Sequence, residues 1–292
     1  RVGRLLTSCS PWLATLRSAR PLHASRDSGS AAASVLAGGL QVVQVPCLQD
    51  NYGFLLHDEE AKLTAAVDTP EEGALLRALE SHGWELTHIF NTHHHHDHVG
   101  GNHALKRAFP GVQIFGPEAE ASKIPELQYK VSGGDCFSWG SQQVQVMDVG
   151  GHTLGHVAFF FPQAKAVFVG DALFPLGCGR LFEGTHAQAW ASLERLMALE
   201  DDTTVYSAHE YTEANGRFAM TVEPESAALR ERMENVKQAR AARKPTVPTT
   251  IGLERRTNPF VRPASLRLSL GMDADTTDAE VFAEVRLRKD KF

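Results

Sequence analysis

No run of apolar residues in this chain is long enough to form a transmembrane helix. Positive charge is in the minority: 29 Lys and Arg stand against 35 Asp and Glu, and the net charge of −6 argues against a general nucleic-acid surface. Cysteine is scarce. Cys9, Cys47, Cys136 and Cys178 contain no Cys-x-x-Cys pair, which sets aside a disulfide framework and points to a reducing interior. No internal repeat is visible.

What remains is a globular composition, with 42% hydrophobic and 22% charged residues over 292 positions. That length suits one large domain with an appendage. The richest stretch is Asn91-Thr92-His93-His94-His95-His96-Asp97-His98, followed by Gly100 and Gly101. Before it runs Leu86–Phe90, which reads as a strand. After it, Ala104, Leu105 and Phe109 recur at roughly helical spacing. In an extended segment alternate side chains share a side, so His93 and His95 can reach one ion. Asp97 and His98 follow where the chain turns, and can face a second point. Imidazole and carboxylate together suit zinc, iron and similar metals. His94 and His96 are expected to point away.

Taken in order, the chain repeats one pattern: an apolar strand, then a His or Asp at its end. Strands are expected at Gln41–Pro46, Tyr52–Leu56, Ala65–Val67, Val112–Phe115, Val144–Val149, Val157–Phe161, Ala166–Val169 and Thr204–Ser207. Asp68, His93, His152, Asp171 and His209 each follow such a run. Helices are expected after Pro70, around Ala189–Met197, over Glu225–Arg243 and from Thr277 onward. The fold is expected to begin near Leu40.

Residues 1–37 differ from the rest. They carry five arginines and a single acid, Asp27, among serines and alanines. This is the composition of a transit peptide, and it implies a mitochondrial location with a plastid as the alternative.

Thr92–His98, Gly151-His152-Thr153-x-Gly155-His156, Gly170-Asp171 and His209-Glu210-Tyr211-Thr212 together resemble the metallo-β-lactamase superfamily. Gly177–Thr185, Asn258-Pro259-Phe260 and the ending Arg286-x-x-Lys289-Asp290-x-Phe292 are similar to the glyoxalase II family of hydroxyacylglutathione hydrolases. The resemblance covers about residues 40–292. It implies an αββα metallo-β-lactamase sandwich over residues 38–211, with a small helical substrate-binding domain at 212–292 lying over the metal edge. It further implies two divalent ions, zinc first, with iron or manganese as alternatives. His93, His95 and His152 would hold one ion, Asp97, His98 and His209 the other, and Asp171 would bridge them. A metal-bridging hydroxide, held with Asp97 and Asp171, would then attack the thioester carbonyl of S-D-lactoylglutathione.

For the glutathione carrier the resemblance names Arg180, Tyr211, Arg286 and Lys289. Arg286 and Lys289 are three residues apart on a helix, and with Arg180 would clamp the carrier's carboxylates. Phe182 stands where some relatives have Tyr. Asp68 and His156 are expected to support ligands or to be structural. The partner is thus a small-molecule glutathione thioester, with no nucleic acid and no membrane, acting on a monomer. A mononuclear-iron persulfide dioxygenase would not need Asp97, His98 and His209, nor the C-terminal motifs. A non-catalytic binding protein on the fold would be expected to have lost ligands.

Overall fold

A computed structural model describes residues 33–292. Residues 1–32, most of the segment read as a transit peptide, lie outside the described residues. Its last residues belong to the fold. Ser34–Val35 (β1) pair antiparallel with Gln41–Cys47 (β2), so the fold starts before Leu40.

β2, Asn51–Asp58 (β3) and Leu63–Val67 (β4) continue antiparallel, and Glu72–His82 (α1) follows. His88–Phe90 (β5) then joins parallel to β4 and leads into two short helices, His96–Val99 (α2) and Asn102–Ala108 (α3). Gln113–Pro117 (β6) and Tyr129–Val131 (β7) complete this sheet in parallel. The second sheet starts as a meander of Cys136–Trp139 (β8), Gln142–Asp148 (β9), Val157–Phe161 (β10) and Ala166–Gly170 (β11). A hairpin of Leu173–Phe174 (β12) and Gly177–Cys178 (β13) interrupts it. His186–Met197 (α4) crosses to Thr204–Ser207 (β14), which pairs parallel with β11. The chain ends with Thr212–Val222 (α5), Ala227–Ala241 (α6), the edge strand Thr249–Thr250 (β15), Ile251–Thr257 (α7), Pro263–Leu266 (α8) and Asp278–Lys291 (α9).

The period-2 alternation of the strands explains the layering. Phe54, Leu56, Ala65 and Val67 of the first sheet meet Val157, Phe159, Phe161, Ala166 and Phe168 of the second in one apolar core. The intervening residues face outward. Leu55, Ala66 and Ile89 pack under Leu75 and Leu79 of α1. Ala158, Val167 and Val169 pack under Leu193 and Leu196 of α4 and Val281, Phe282 and Val285 of α9. β3 and β11 are therefore buried along their whole length, which is why β11 reads as a continuous apolar run. The result is the αββα sandwich.

The C-terminal segment differs from a cap set over a sheet edge. It contributes β15 to the second sheet and shares that sheet's outer core through α9. Both α4 and α9 begin with a capping box, Thr185 with Gln188 and Thr277 with Glu280, which defines where each starts. No helix among the described residues is long and apolar enough to cross a membrane.

Phe168 sits at the centre of the sandwich, fully buried, against Phe54, Phe161 and Tyr206. Phe168→Ala is expected to cost about 3–5 kcal/mol. A denaturant titration giving less than ~1 kcal/mol would show that the inter-sheet core is not close-packed there.

Candidate metal centre

The carboxyl ends of β4, β5, β11 and β14, with the β9–β10 loop, meet at one edge of the sandwich. Parallel strands deliver their following loops to the same side, where ligands bind in open α/β sheets. Hydrogen bonds tie the two sheets together at this edge. Val157 N donates to Thr92 O at 2.9 Å, and Tyr52 N donates to Ala208 O at 2.7 Å.

The strand β5 ends at Phe90, so the histidine run lies in the loop after it, with His95 still extended at the start of α2. His93 and His95 nonetheless converge, by presenting different nitrogens. His93 Nε2 lies 3.1 Å from His95 Nδ1, and His152 Nε2 lies 3.0 Å from that same atom. Ligands about 2.0–2.1 Å from a zinc ion lie roughly 3.3 Å from one another, so this spacing is that of a ligand cage. Asp97 and His98 come from the single turn α2. His209 Nε2 is 3.4 Å from Asp97 Oδ2, and His98 Nε2 is 3.7 Å from it.

Asp171 lies between the groups. Its Oδ2 is 3.3 Å from His152 Nε2, whereas its Oδ1 is 3.4 Å from both His98 Nε2 and His209 Nε2. His98 Nε2 and Asp171 Oδ1 are buried with no hydrogen-bond partner. Buried polar atoms are almost always paired, so these two are directed at something the protein itself does not provide. The whole donor set is imidazole nitrogen and carboxylate oxygen, which fits divalent zinc or iron. Three overlapping groups of such donors lie here: His93–His95–His152, His93–His98–Asp171 and Asp97–His98–His209.

Electrostatics prepares the donors. Burial, with the neighbouring His98, pushes His93 well below its ordinary value and keeps it neutral, the form that ligates. Burial alone would raise the Asp171 carboxyl; His98, His209 and His152 instead hold it below the usual carboxylate range. His209 would likewise be depressed by burial, but Asp171 and Asp97 lift it to about 11. Without a cation between them, carboxylates and imidazoles can satisfy each other only by sharing protons.

Residues beyond the ligands hold the rings. Asp68 accepts from His98 Nδ1, Thr92 N and Thr92 Oγ1, each at 2.8 Å, so the supporting role expected for it corresponds to specific contacts. His156 Nε2 accepts from Asp171 N at 3.1 Å and its ring stacks on His93. Gly170, just before Asp171, has φ +49, and a Cβ there would meet Thr92 Oγ1 at 2.5 Å. Only glycine permits this approach.

Three supports escaped the sequence reading. Asp50 accepts from His209 Nδ1 at 2.9 Å, and Asn51 donates to Asp97 Oδ2 at 3.0 Å. Glu120 accepts from His94 N at 2.8 Å, His94 Nδ1 at 2.7 Å and Gly155 N at 2.9 Å, joining the His93–His95 loop to the His152 loop. His94 thus turns away from the cluster. Asp50 and Asn51 sat in a polar turn, which signals only a turn; nothing local marked Glu120.

A cavity of about 400 Å³ opens on the cluster, walled by His95, Asp171, Phe174, Arg180, Phe182 and Tyr211. A larger one, about 810 Å³, lies behind the β2–β3 turn and contains none of the grouped donors. Donor chemistry rather than volume distinguishes the two. Tyr211 stacks on His209 with centroids 4.6 Å apart. Phe182 is 63% exposed and meets His95 and His152 edge-on.

Of the four expected carrier contacts, Arg180 and Tyr211 reach the cavity, whereas Arg286 and Lys289 do not line it. Arg286 is 5% exposed and donates to Cys178 O at 3.1 Å and Asp290 Oδ1 at 2.9 Å. The Lys289 ammonium lies over the rings of Phe218 and Phe292. The i, i+3 spacing put the pair on one face correctly, but that face is largely turned into the protein.

Two family models match. One described as the metallo-beta-lactamase superfamily covers residues 56–209, and one described as the hydroxyacylglutathione hydrolase C-terminus covers 210–292. The hydroxyacylglutathione hydrolase of Rhizobium meliloti is 53% identical over 248 residues, 84% of this chain and 96% of that protein. Its counterpart from Brucella ovis is 51% identical over 87% of this chain and 98% of that protein. Among solved structures, ETHE1 from Myxococcus xanthus is similar, with TM-score 0.61 and 25% identity over 84% of this chain and 89% of that one. TTHA1623 in a di-iron-bound form has TM-score 0.55 and 25% identity over 75% and 98%. The mitochondrial location expected from residues 1–37, and its plastid alternative, are overturned by these relatives, which are bacterial enzymes matched over nearly their full lengths.

Asp50 offers a test of the supports. Asp50→Ala leaves every proposed ligand in place and frees only the far nitrogen of His209. Loss of such a partner typically weakens metal affinity about 10–100-fold. In a competition titration with a zinc chelator, one class of ion is expected to weaken by that factor. Identical titration curves for variant and parent would show that Asp50 does not orient His209.

Proposed function

The chain belongs to the hydroxyacylglutathione hydrolase family of the metallo-β-lactamase superfamily, and from that we infer that its donor cluster hydrolyses S-(2-hydroxyacyl)glutathione thioesters, S-D-lactoylglutathione to D-lactate and glutathione. The observation that carries this reading is the Asp171 carboxylate, one oxygen toward His152 and the other toward His98 and His209. That disposition supports two divalent ions, one with His93, His95 and His152, the other with Asp97, His98 and His209. Zinc is proposed first, and the di-iron form of TTHA1623 supports a two-ion count and iron as an alternative. When bound, such ions lower the pKa of water and polarise the carbonyl under attack.

The protein's own part is positional. Asp171 and Asp97 supply negative charge that keeps the ligands in register. The Phe182 and Phe174 rings form the apolar part of the cavity wall. The leaving group is a thiolate, whose conjugate acid has a pKa of about 8.5, so no dedicated general acid is required. Arg180, 64% exposed in its side chain, and Tyr211 are proposed to contact the glutathione carrier. Arg180 Nε lies 3.8 Å from Asp290 Oδ1, and Asp290 is itself held by Arg286. Arg286 is accordingly proposed to act behind Arg180.

Two tests follow from this reading. Elemental analysis of the purified protein is expected to give close to two ions per chain, and Asp171→Ala is expected to lose both together. One ion per chain at full activity would rule out the two-ion reading. In steady-state kinetics with S-D-lactoylglutathione, Arg180→Ala is expected to raise KM about tenfold or more, the worth of one charge-assisted contact, with kcat little changed. An unchanged KM would remove Arg180 from the carrier site, and no hydrolysis by the metal-loaded parent would remove the activity itself.

A further inference from the structure

Asn258-Pro259-Phe260 stands out in the sequence, yet none of its side chains reaches the donor cluster. The structure puts it under the β12–β13 hairpin. That hairpin follows Asp171 directly and ends where Gly179 and Arg180 enter the cavity wall. Its two strands pair antiparallel, Leu173 with Cys178 and Phe174 with Gly177, around the two-residue turn Pro175-Leu176. Leu176 occupies the left-handed region with φ +61, a conformation that a branched, non-glycine residue adopts only under external constraint.

The constraint comes from the C-terminal segment. Asn258 Nδ2 donates to Phe174 O at 3.2 Å and Gly177 O at 3.0 Å. Glu254 Oε2 accepts from Leu176 N at 2.9 Å. Asn215 donates to Pro175 O at 3.3 Å, and Arg286 to Cys178 O at 3.1 Å. The Leu176 side chain is fully buried in a separate apolar cluster with Ala219, Leu229 and Met233 of α5 and α6. Glu254 and Asn258 are themselves fully buried, and Glu254 is neutralised by Arg232. Along five successive residues, one backbone polar group per residue is therefore taken by a side chain of the C-terminal segment. At the far end Gly179 is pressed against Asp171, since a Cβ there would lie 2.1 Å from Asp171 O.

We propose that Asn258 and Glu254 are positioning residues for the thioester hydrolase reaction: they hold the Leu173–Cys178 hairpin so that Arg180 faces the carrier. This rests on the hydrolase reading above. It also gives the segment spanning 210–292 a second task beyond any direct substrate contact, that of setting the geometry of a loop belonging to the first half of the chain.

The test uses the full-length, metal-loaded protein and Asn258→Leu, which removes the donor while keeping a similar volume. KM for S-D-lactoylglutathione is expected to rise about tenfold with kcat within about twofold. Added to Arg180→Ala, the same substitution is expected to raise KM less than twofold, because the two act through one group. Hydrogen exchange over residues 172–181 is expected to accelerate at least tenfold while the sheets keep their protection, a readout independent of activity. A parent that does not hydrolyse the thioester would sink the functional reading and leave the exchange result to decide whether the hairpin is held. Unchanged KM and unchanged exchange, or KM effects that multiply in the double variant, would overturn the proposal. So would a rate loss in proportion to lost zinc, since Arg180 O also accepts from His152 Nδ1 at 2.7 Å and the hairpin would then serve the ligand instead. Should Asn258→Leu fail to fold, the near-isosteric Glu254→Gln, which weakens the hold on Leu176 N, carries the same cycle with a smaller expected rise of about threefold.

Discussion

A carboxylate buried between imidazoles, Asp171, is the constraint around which the rest of this molecule is arranged. Removing an ionised carboxylate from water is costly unless cations or hydrogen-bond donors surround it. Here its oxygens face His98, His152 and His209, and Oδ1, 3.4 Å from two of these rings, is buried without a hydrogen bond. Such an atom can be tolerated only where a metal cation completes its surroundings. Three separate loops must therefore meet around this one carboxylate, and each follows a strand held in the sandwich.

The sandwich supplies that precision. Because β3 and β11 are buried on both faces, a slip of one residue would exchange every side chain between the inter-sheet core and the helix-facing layer, each packed for the other's shape. The ligand loops inherit that fixity. They are then joined to one another by polar supports that lie outside the ligand set: Asp68 between Thr92 and His98, Glu120 between His94 and Gly155, Asp50 on His209. Asp68 and Asp50 also leave Nε2 of His98 and of His209 facing the cluster, by accepting a hydrogen bond from the other ring nitrogen.

The C-terminal segment extends the same logic to the substrate side. Its helices do not stand apart as a lid. β15 joins the second sheet, α9 packs into that sheet's outer core, and buried Glu254 and Asn258 grip the hairpin beside Asp171. The two halves that match separate family models thus share a core and a site wall.

Much was legible in the sequence because the relevant signals are local. Short apolar, β-prone runs bounded by turn residues gave the strands, to the residue for Val157–Phe161 and Thr204–Ser207. The residues of the donor cluster stood out because His and Asp at strand ends are chemically conspicuous, and the structure brings them together. The short strands β7, β8 and β15 and the helix α5 were not read, being too short or too polar for periodicity to register. The composition of residues 1–37 suggested an organelle, which the bacterial relatives contradict; composition does not specify an address uniquely. What only the tertiary structure decided is which side chains do the supporting. Asp50, Glu120 and Glu254 look like ordinary surface acids in one dimension, and Arg286 looks like a free basic group. Their roles come from partners distant in sequence, such as His209 for Asp50 and Cys178 for Arg286. The chain's own order determines which residues can ligate. Only the packing of its two sheets, which brings those distant partners within hydrogen-bonding distance, determines which nitrogen, which oxygen and which loop conformation they present.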